Sequence, residues 1–281
     1  MRAPAEIQPQ AFDIPCPDGL YIRGEIYQPE ASIGAVIVCH GFKGFAHWAF
    51  FPYLAARLAR EGLTAITFDF SGSGIGRDRE TFSDAEAFAG NTFTRELDDL
   101  ELLEEYARRK RWIEGKFGLF GHSRGGGMAI LYTAAEGSSV GSLVTWAAIS
   151  YPNRWSQEEM LAWRKRGYAD ITNSRTGQVM KLGTDLLDDV ELHGKTKVNI
   201  ENAAKKVKVP WLIIHGAADE TVPSSEGEHL HSVSKGVSTL RLIDGAGHAF
   251  DARHPLNEVP PVLEKVVGET VRFFVRNAAQ K

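Results

Sequence analysis

The chain has 281 residues, 43 % hydrophobic and 24 % charged, which suits one large globular domain or one domain carrying a sizeable insertion. A formal net charge of -4 gives no basis for nucleic acid or an anionic membrane as partner. The local basic clusters, Arg108, Arg109, Lys110 and Arg111 and then Arg164, Lys165 and Arg166, read as solvated helix ends with acidic residues close by.

Cys39 sits in the apolar run "AVIVCH" as a small buried hydrophobe, and Cys16 in the turn "PCPDG"; their spacing matches neither a disulfide framework nor a metal pattern. "MRAPAEIQPQ" has no apolar signal core, and no later stretch is long enough to span a bilayer. The expectation is a cytoplasmic protein with no membrane partner.

In chain order, "AFDIP" turns through "PDG" into "LYIRGEIYQP", an alternating, half-buried hairpin. "GAVIVCHG" is a continuous β-branched run, as expected of a strand covered on both faces. Trp48–Gly62 repeats apolar residues at helical spacing and stops on a glycine suited to the C′ position. "LTAITFDFSGSG" is a second buried strand, and Asn91–Lys110 an amphipathic helix with an Asn/Thr cap. "KFGLFG" and "SLVTWAAIS" are strands flanking a helix from about Ser123 to Glu136. From Tyr151 to Val207 the chain turns polar and irregular, with helical pieces in "QEEMLAWRKRGY" and "TDLLDDVELHG". "VPWLIIHG", a helix near Ser224–Ser234, "STLRLID" and a closing helix in "PPVLEKVVGETVRFFVRN" restore the rhythm.

Strand–helix alternation with β-branched strands predicts an α/β fold: a mostly parallel, doubly wound sheet of about eight strands with a small helical cap. Residues 1–150 and 208–281 form the expected core, and 151–207 the cap over the carboxyl ends of the strands, where such sheets bind ligands.

Gly121-His122-Ser123-Arg124-Gly125 fits G-x-S-x-G between a strand and a helix. A turn this tight holds the serine in a strained conformation and leaves no room for side chains at the flanking glycines. Its Oγ then stands at a helix N-terminus, which favours developing negative charge. Gly126 and Gly127 read as close-packing positions of that helix. A serine hydroxyl needs a base, and the base a carboxylate, in the chain order Ser, Asp or Glu, His. Asp219 in "HGAADETVP" and His248 in "DGAGHAF" each follow a strand in that order. Glu220 competes for the acid role, but the "TVP" after it carries the loop outward, which favours Asp219. The two oxyanion donors follow by position: the N–H of Arg124, after the serine, and that of Phe42 in "HGFKGFAH". Neither that loop nor "SGSGIG" has the spacing of a phosphate-binding loop. His40 and His215 read as structural, His122 as pointing into the surroundings of the sheet, and His193, His229 and His231 as lacking catalytic context.

Together "HGFKG", "FDFSGSG", "GHSRGG", "HGAADETVP" and "GAGHAF" resemble the α/β-hydrolase superfamily over Cys39 to Phe250. The chain is also similar to a subgroup of small serine esterases, including dienelactone-hydrolase-like and cinnamoyl/feruloyl esterase-like proteins. The resemblance implies a serine carboxylic-ester hydrolase without metal or cofactor that works through an acyl-enzyme. Ser123 would be its nucleophile, His248 its base and acid, Asp219 the orienting carboxylate, and Phe42 and Arg124 the oxyanion donors. A dienelactone hydrolase proper would carry cysteine where this chain has Ser123. Peptidase or acyltransferase chemistry with the same triad, or a non-catalytic binding protein on the scaffold, are the alternatives. Tyr151, Trp155, Trp163 and Tyr168 are candidates for a substrate pocket, against the alternative that they only pack the cap onto the body.

Overall fold

A computed structural model describes residues 7–173 and 177–278. The chain opens with the antiparallel hairpin β1 (Gln10–Pro15) and β2 (Tyr21–Tyr27), then runs through β3 (Gly34–Cys39), α1 (Phe50–Arg60) and β4 (Leu63–Asp69). Next come a short helix α2 (Ala85–Ala89), α3 (Phe93–Arg109), β5 (Phe117–His122), α4 (Arg124–Ala134) and β6 (Val140–Trp146). After the insertion described below, β9 (Trp211–Gly216), α8 (Ser224–Val233), β10 (Ser238–Ile243) and α9 (Pro261–Ala278) complete the body.

The strands form one eight-stranded sheet in the order β1-β2-β4-β3-β5-β6-β9-β10. It is parallel from β4 to β10, and antiparallel only where β2 meets β1 and β4. β4, β5 and β9 are buried along their whole length, which is why they read as unbroken apolar runs rather than alternations. α1 and α9 cover one face, over a core centred on Phe50, Trp146 and Phe274. α3, α4 and α8 cover the other, with Leu100, Met128 and Leu230 beneath them. Each fully buried aliphatic or aromatic side chain contributes roughly 1.5–3 kcal/mol, so both faces are needed to hold a sheet of this width.

The helix limits follow from local chemistry. Thr92 Oγ1 accepts from Arg95 N at 3.1 Å and caps α3, and Gly62, with φ of 85°, ends α1. The helix α2 was not anticipated. It is a single turn capped by the Asp84 carboxylate, too short for periodicity to reveal.

Between β6 and β9 lie α5 (Gln157–Arg166), β7 (Tyr168–Thr172), β8 (Val179–Gly183), α6 (Asp185–His193) and α7 (Ile200–Ala204). The small helical cap expected here also carries strands: β7 and β8 form an antiparallel hairpin. Only Met180 and Leu182 of its strands are buried, so the alternation is too short to stand out in sequence. α6 is tied to the body by Asp189, whose carboxylate accepts from Phe93 N (2.9 Å), Thr94 N (3.2 Å) and Thr94 Oγ1 (2.7 Å) at the start of α3. α7 packs on α4 and α8 and closes the helical layer of the body.

Candidate active site

Four connections meet at the carboxyl ends of β3, β5, β9 and β10. At the end of β5, Ser123 has φ 56° and ψ -122°, a region that costs a non-glycine residue of order 1–3 kcal/mol. The turn is held by Ser123 N donating to Trp146 O at 2.9 Å, and by Ser123 O accepting from Gly126 N at 3.0 Å and Ile149 N at 3.2 Å. Its glycines are required by contact. A Cβ on Gly121 would sit 2.2 Å from Gly125 O, and one on Gly125 would sit 2.2 Å from His40 O. Gly126 faces Ala148 of the segment after β6, and Gly127 faces Ile149 and Ile200.

The loop after β3 lies directly against this turn, since a Cβ on Gly41 would stand 2.9 Å from Ser123 Cβ. Buried polar groups fix its path. His40 Nδ1 donates to Gly41 O at 2.8 Å, while His40 Nε2 accepts from Phe70 N at 3.2 Å. Burial pushes that imidazole down to about 4, so it stays neutral in this tautomer near neutral pH. Asp69 at the end of β4 accepts from Ala46 N at 2.6 Å. The N–H groups of Phe42 and Arg124 make no loop or cap hydrogen bond among the described residues, which leaves both free to meet an incoming oxygen.

Asp219 and His248 occupy the loops after β9 and β10, locked together by Ala218 N donating to Ala246 O at 2.9 Å. His248 Nδ1 lies 2.7 Å from Asp219 Oδ2, while Asp219 Oδ1 accepts from Thr221 N (2.8 Å) and Val222 N (2.9 Å). Burial alone would raise the Asp219 carboxyl. Contacts from His215 and His248 and these backbone donors outweigh it and hold the group well below the usual carboxylate range. His215 Nε2 has two acceptors, Val222 O at 2.9 Å and Asp219 Oδ2 at 3.4 Å. Its single N–H is shared between them, mainly toward Val222 O.

His122 points into the surroundings of the sheet, as expected, edge-on to Phe50 and Phe51 of α1. It also packs against His248, with ring centroids 4.7 Å apart, and its Nε2 donates to His248 O at 3.0 Å. Burial drives it down to about 3, so it stays neutral and adds no charge beside His248. Sequence reasoning missed this support, because a histidine between a glycine and a serine carries no signal of what its ring will face.

Ser123, His248, Phe42 and Arg124 all line one cavity of about 740 Å³, a size suited to a small organic ligand. Of the four aromatic candidates from the insertion, Trp155 lies on its wall. Trp163 does not: it is 3 % exposed, donates from Nε1 to Leu182 O at 3.0 Å and packs edge-on against Trp155. Tyr168 is covered by Arg166 and Lys181 away from the cavity. Tyr151 lines a neighbouring cavity of about 450 Å³. Further apolar wall comes from Trp48, Phe51, Phe93, Ile149 and Ile171, which no motif or spacing groups in sequence. Among the described residues no cluster of histidine, cysteine and carboxylate groups could hold a metal ion, and no helix is long and apolar enough to cross a membrane.

A family model described as "Alpha/beta hydrolase family" matches residues 36–259. Human monoglyceride lipase is 26 % identical over an alignment covering 90 % of this chain and 86 % of that protein. The uncharacterized protein YfhR of Escherichia coli K12 is 26 % identical over 84 % of this chain and 71 % of its own length. Among solved structures, Est1E from Butyrivibrio proteoclasticus with ferulic acid bound superposes with a TM-score of 0.74 at 21 % identity, covering 96 % of this chain and 100 % of that one. The monoacylglycerol lipase of Paleococcus ferrophilus gives 0.67 at 17 % identity, over 92 % and 99 % of the two chains. At these identities the structural matches speak to the fold.

Proposed function

The chain belongs to the alpha/beta hydrolase family, and on that premise we propose that it is a serine hydrolase cleaving small-molecule carboxylic esters through an acyl-enzyme. The observation that carries this reading is the 2.7 Å contact between His248 Nδ1 and Asp219 Oδ2, at the wall of a cavity that Ser123 also lines. The ester chemistry in the name of the human monoglyceride lipase relative points the same way.

In the proposed reaction Ser123 Oγ attacks the ester carbonyl and His248 Nε2 takes its proton. The imidazolium that forms is stabilised by Asp219, which stays ionised because its carboxyl is held well below the usual range. The oxyanion accepts from Phe42 N–H and Arg124 N–H, neither of which makes a loop or cap hydrogen bond among the described residues. Collapse of the intermediate breaks the bond to the alkoxy oxygen, which leaves as the alcohol with the proton from His248. A water molecule then repeats the sequence on the acyl-serine, and His248 again serves as base and then as acid. No step calls on a metal or cofactor. The proposed compartment is the cytoplasm, whose reducing conditions suit the free thiols Cys16 and Cys39.

The test is turnover of 4-nitrophenyl acetate and butyrate, with fluorophosphonate labelling located by peptide mass spectrometry. The wild type should hydrolyse these esters and carry the label on Ser123. Ser123→Ala should lose turnover by about 10⁴-fold or more. Full activity in that variant would show that another group is the nucleophile.

A further inference from the structure

The Arg124 side chain, rather than its backbone, is the group that the mechanism leaves unused. It is 6 % exposed, and its Nε donates to Glu96 Oε2 at 3.1 Å. The guanidinium stacks over Phe93, 4.0 Å from the ring centroid, and reaches Phe42 at 5.5 Å. Glu96 is fully engaged, since its other oxygen accepts from Asn91 Nδ2 at 2.8 Å. Nη2 of Arg124 is buried and has no hydrogen-bond partner among the described residues. Buried donors without partners are uncommon, and guanidinium donors especially so. Arg124, Phe42 and Phe93 all line the cavity that holds Ser123.

Most charged side chains around the cavity are cationic. Its wall carries Lys43, Arg124, Arg154 and Arg253 against the single carboxylate Asp170. Arg124 is balanced by Glu96, Arg154 by Glu226 and Asp170 by Arg166. Lys43, which donates to Thr172 O at 3.3 Å, and the exposed Arg253 form no salt bridge among the described residues. Asp219 stands behind His248, and its charge serves the imidazolium. The wall therefore carries two cations, Lys43 and Arg253, that no carboxylate pairs among the described residues, and beside the nucleophile an arginine whose Nη2 has no partner.

We infer that this site takes esters bearing a carboxylate, which the Arg124 guanidinium receives in the cavity and Lys43 and Arg253 draw toward it. The inference rests on the ester-hydrolase reading above. A carboxylate suits a planar guanidinium whose face is covered by aromatic rings, because Nη2 lacks a partner for a charge-assisted hydrogen bond; that atom is closed to solvent, so a substrate reaches it only as the cavity lining gives way. Asn91 Oδ1 is also buried without a partner in the same network. A water shared with that oxygen is therefore the rival account of Nη2, and it implies no preference for charged substrates.

The experiment compares kcat/KM for matched pairs with the whole protein. 4-Nitrophenyl hemiadipate against 4-nitrophenyl hexanoate places the carboxylate on the acyl side. 4-(Carboxymethyl)phenyl butyrate against 4-ethylphenyl butyrate places it on the alcohol side. The anionic member should be preferred by about tenfold or more in one arm, which identifies the half of the substrate that meets Arg124. That preference should shrink as salt rises from about 20 mM to 500 mM, and Arg124→Met should bring the ratio close to one. Arg124→Met strands the Glu96 carboxylate and risks misfolding, so Lys43→Gln with Arg253→Gln forms a second variant. It should lower the ratio and flatten its salt dependence. Equal rates in both arms, or a ratio that neither variant moves, would overturn the inference. If neutral esters are hydrolysed and Ser123 is labelled without any anionic preference, only this inference fails. If no ester turns over and Ser123 takes no label, the hydrolase reading itself fails.

Discussion

The loops at the strand ends and the insertion that faces them are built on different terms. Around Ser123 the backbone dictates the residue: Gly125 has His40 O 2.2 Å from where a Cβ would be, and Gly41 has Ser123 Cβ at 2.9 Å. Across the cavity, side chains decide. Trp155 and Trp163 are neighbours packed at 5.0 Å, yet one faces the cavity and the other is sealed beneath it. A site whose geometry is set by steric exclusion leaves a mark in sequence, whereas a pocket assembled by packing leaves little beyond composition.

The largest effects should come from the first region. Asp219→Asn keeps the shape of the loop but removes the charge that supports the His248 imidazolium, so kcat should fall by about 10³- to 10⁴-fold with little change in KM. Stopped-flow or steady-state ester kinetics would read this, and a loss below tenfold would mean that Asp219 only shapes its loop. Gly125→Ala should prevent stable folding or lower the melting temperature by many degrees, because the methyl would overlap His40 O, a backbone atom that cannot move alone. Thermal unfolding checks it. A well-folded, active Gly125→Ala protein would show that the turn is looser than its contacts imply.

The insertion should respond more softly and more selectively. Trp155→Ala should change kcat/KM for bulky esters by about tenfold relative to small ones, since it opens the cavity wall. Trp163→Ala should instead destabilise by about 3–5 kcal/mol and affect bulky and small esters alike. Selectivity changes of equal size in the two variants would erase the distinction between wall and support.

The smallest effect is a pH dependence in the body, away from the reacting groups. Asp99 is 4 % exposed and accepts from Ser71 N at 2.7 Å and Ser71 Oγ at 2.9 Å. Burial raises its carboxyl from 3.8 to about 7, against the lowering effect of the Ser71 bonds. The folded state therefore holds this proton between about pH 4 and pH 7 where the unfolded state has lost it. The contribution to stability is full at low pH and is lost as pH rises through the folded value. Asp99→Asn cannot ionise, so its melting temperature relative to wild type should climb by a few degrees from pH 4 to pH 8. A constant difference across that range would mean that Asp99 is already ionised in the fold.

Much of the body was readable because its signals are local and repeated. Continuous β-branched strands, helical periodicity in Trp48–Gly62 and Asn91–Lys110, and glycines at tight turns all point to one parallel sheet. Ser123, Asp219 and His248 could be grouped because each follows a strand, and parallel strands bring their carboxyl ends to one edge. His122 under His248, and Phe93, Trp48 and Ile171 on the cavity wall, could not be grouped, because their proximity arises from packing between segments distant in sequence. The β7–β8 hairpin escaped for a related reason: its buried positions are few, and its stability comes from the helices and loops it packs against.

The central claim is that Ser123 becomes acylated during turnover, and trapping that intermediate tests it most directly. Enzyme mixed with a 4-nitrophenyl ester and quenched in acid within milliseconds should show an intact mass increased by one acyl group, located by peptide mapping on Ser123. The Asp219→Asn variant should form the same adduct more slowly. Rapid ester hydrolysis with no acyl adduct at any quench time, or an adduct on a residue other than Ser123, would contradict it.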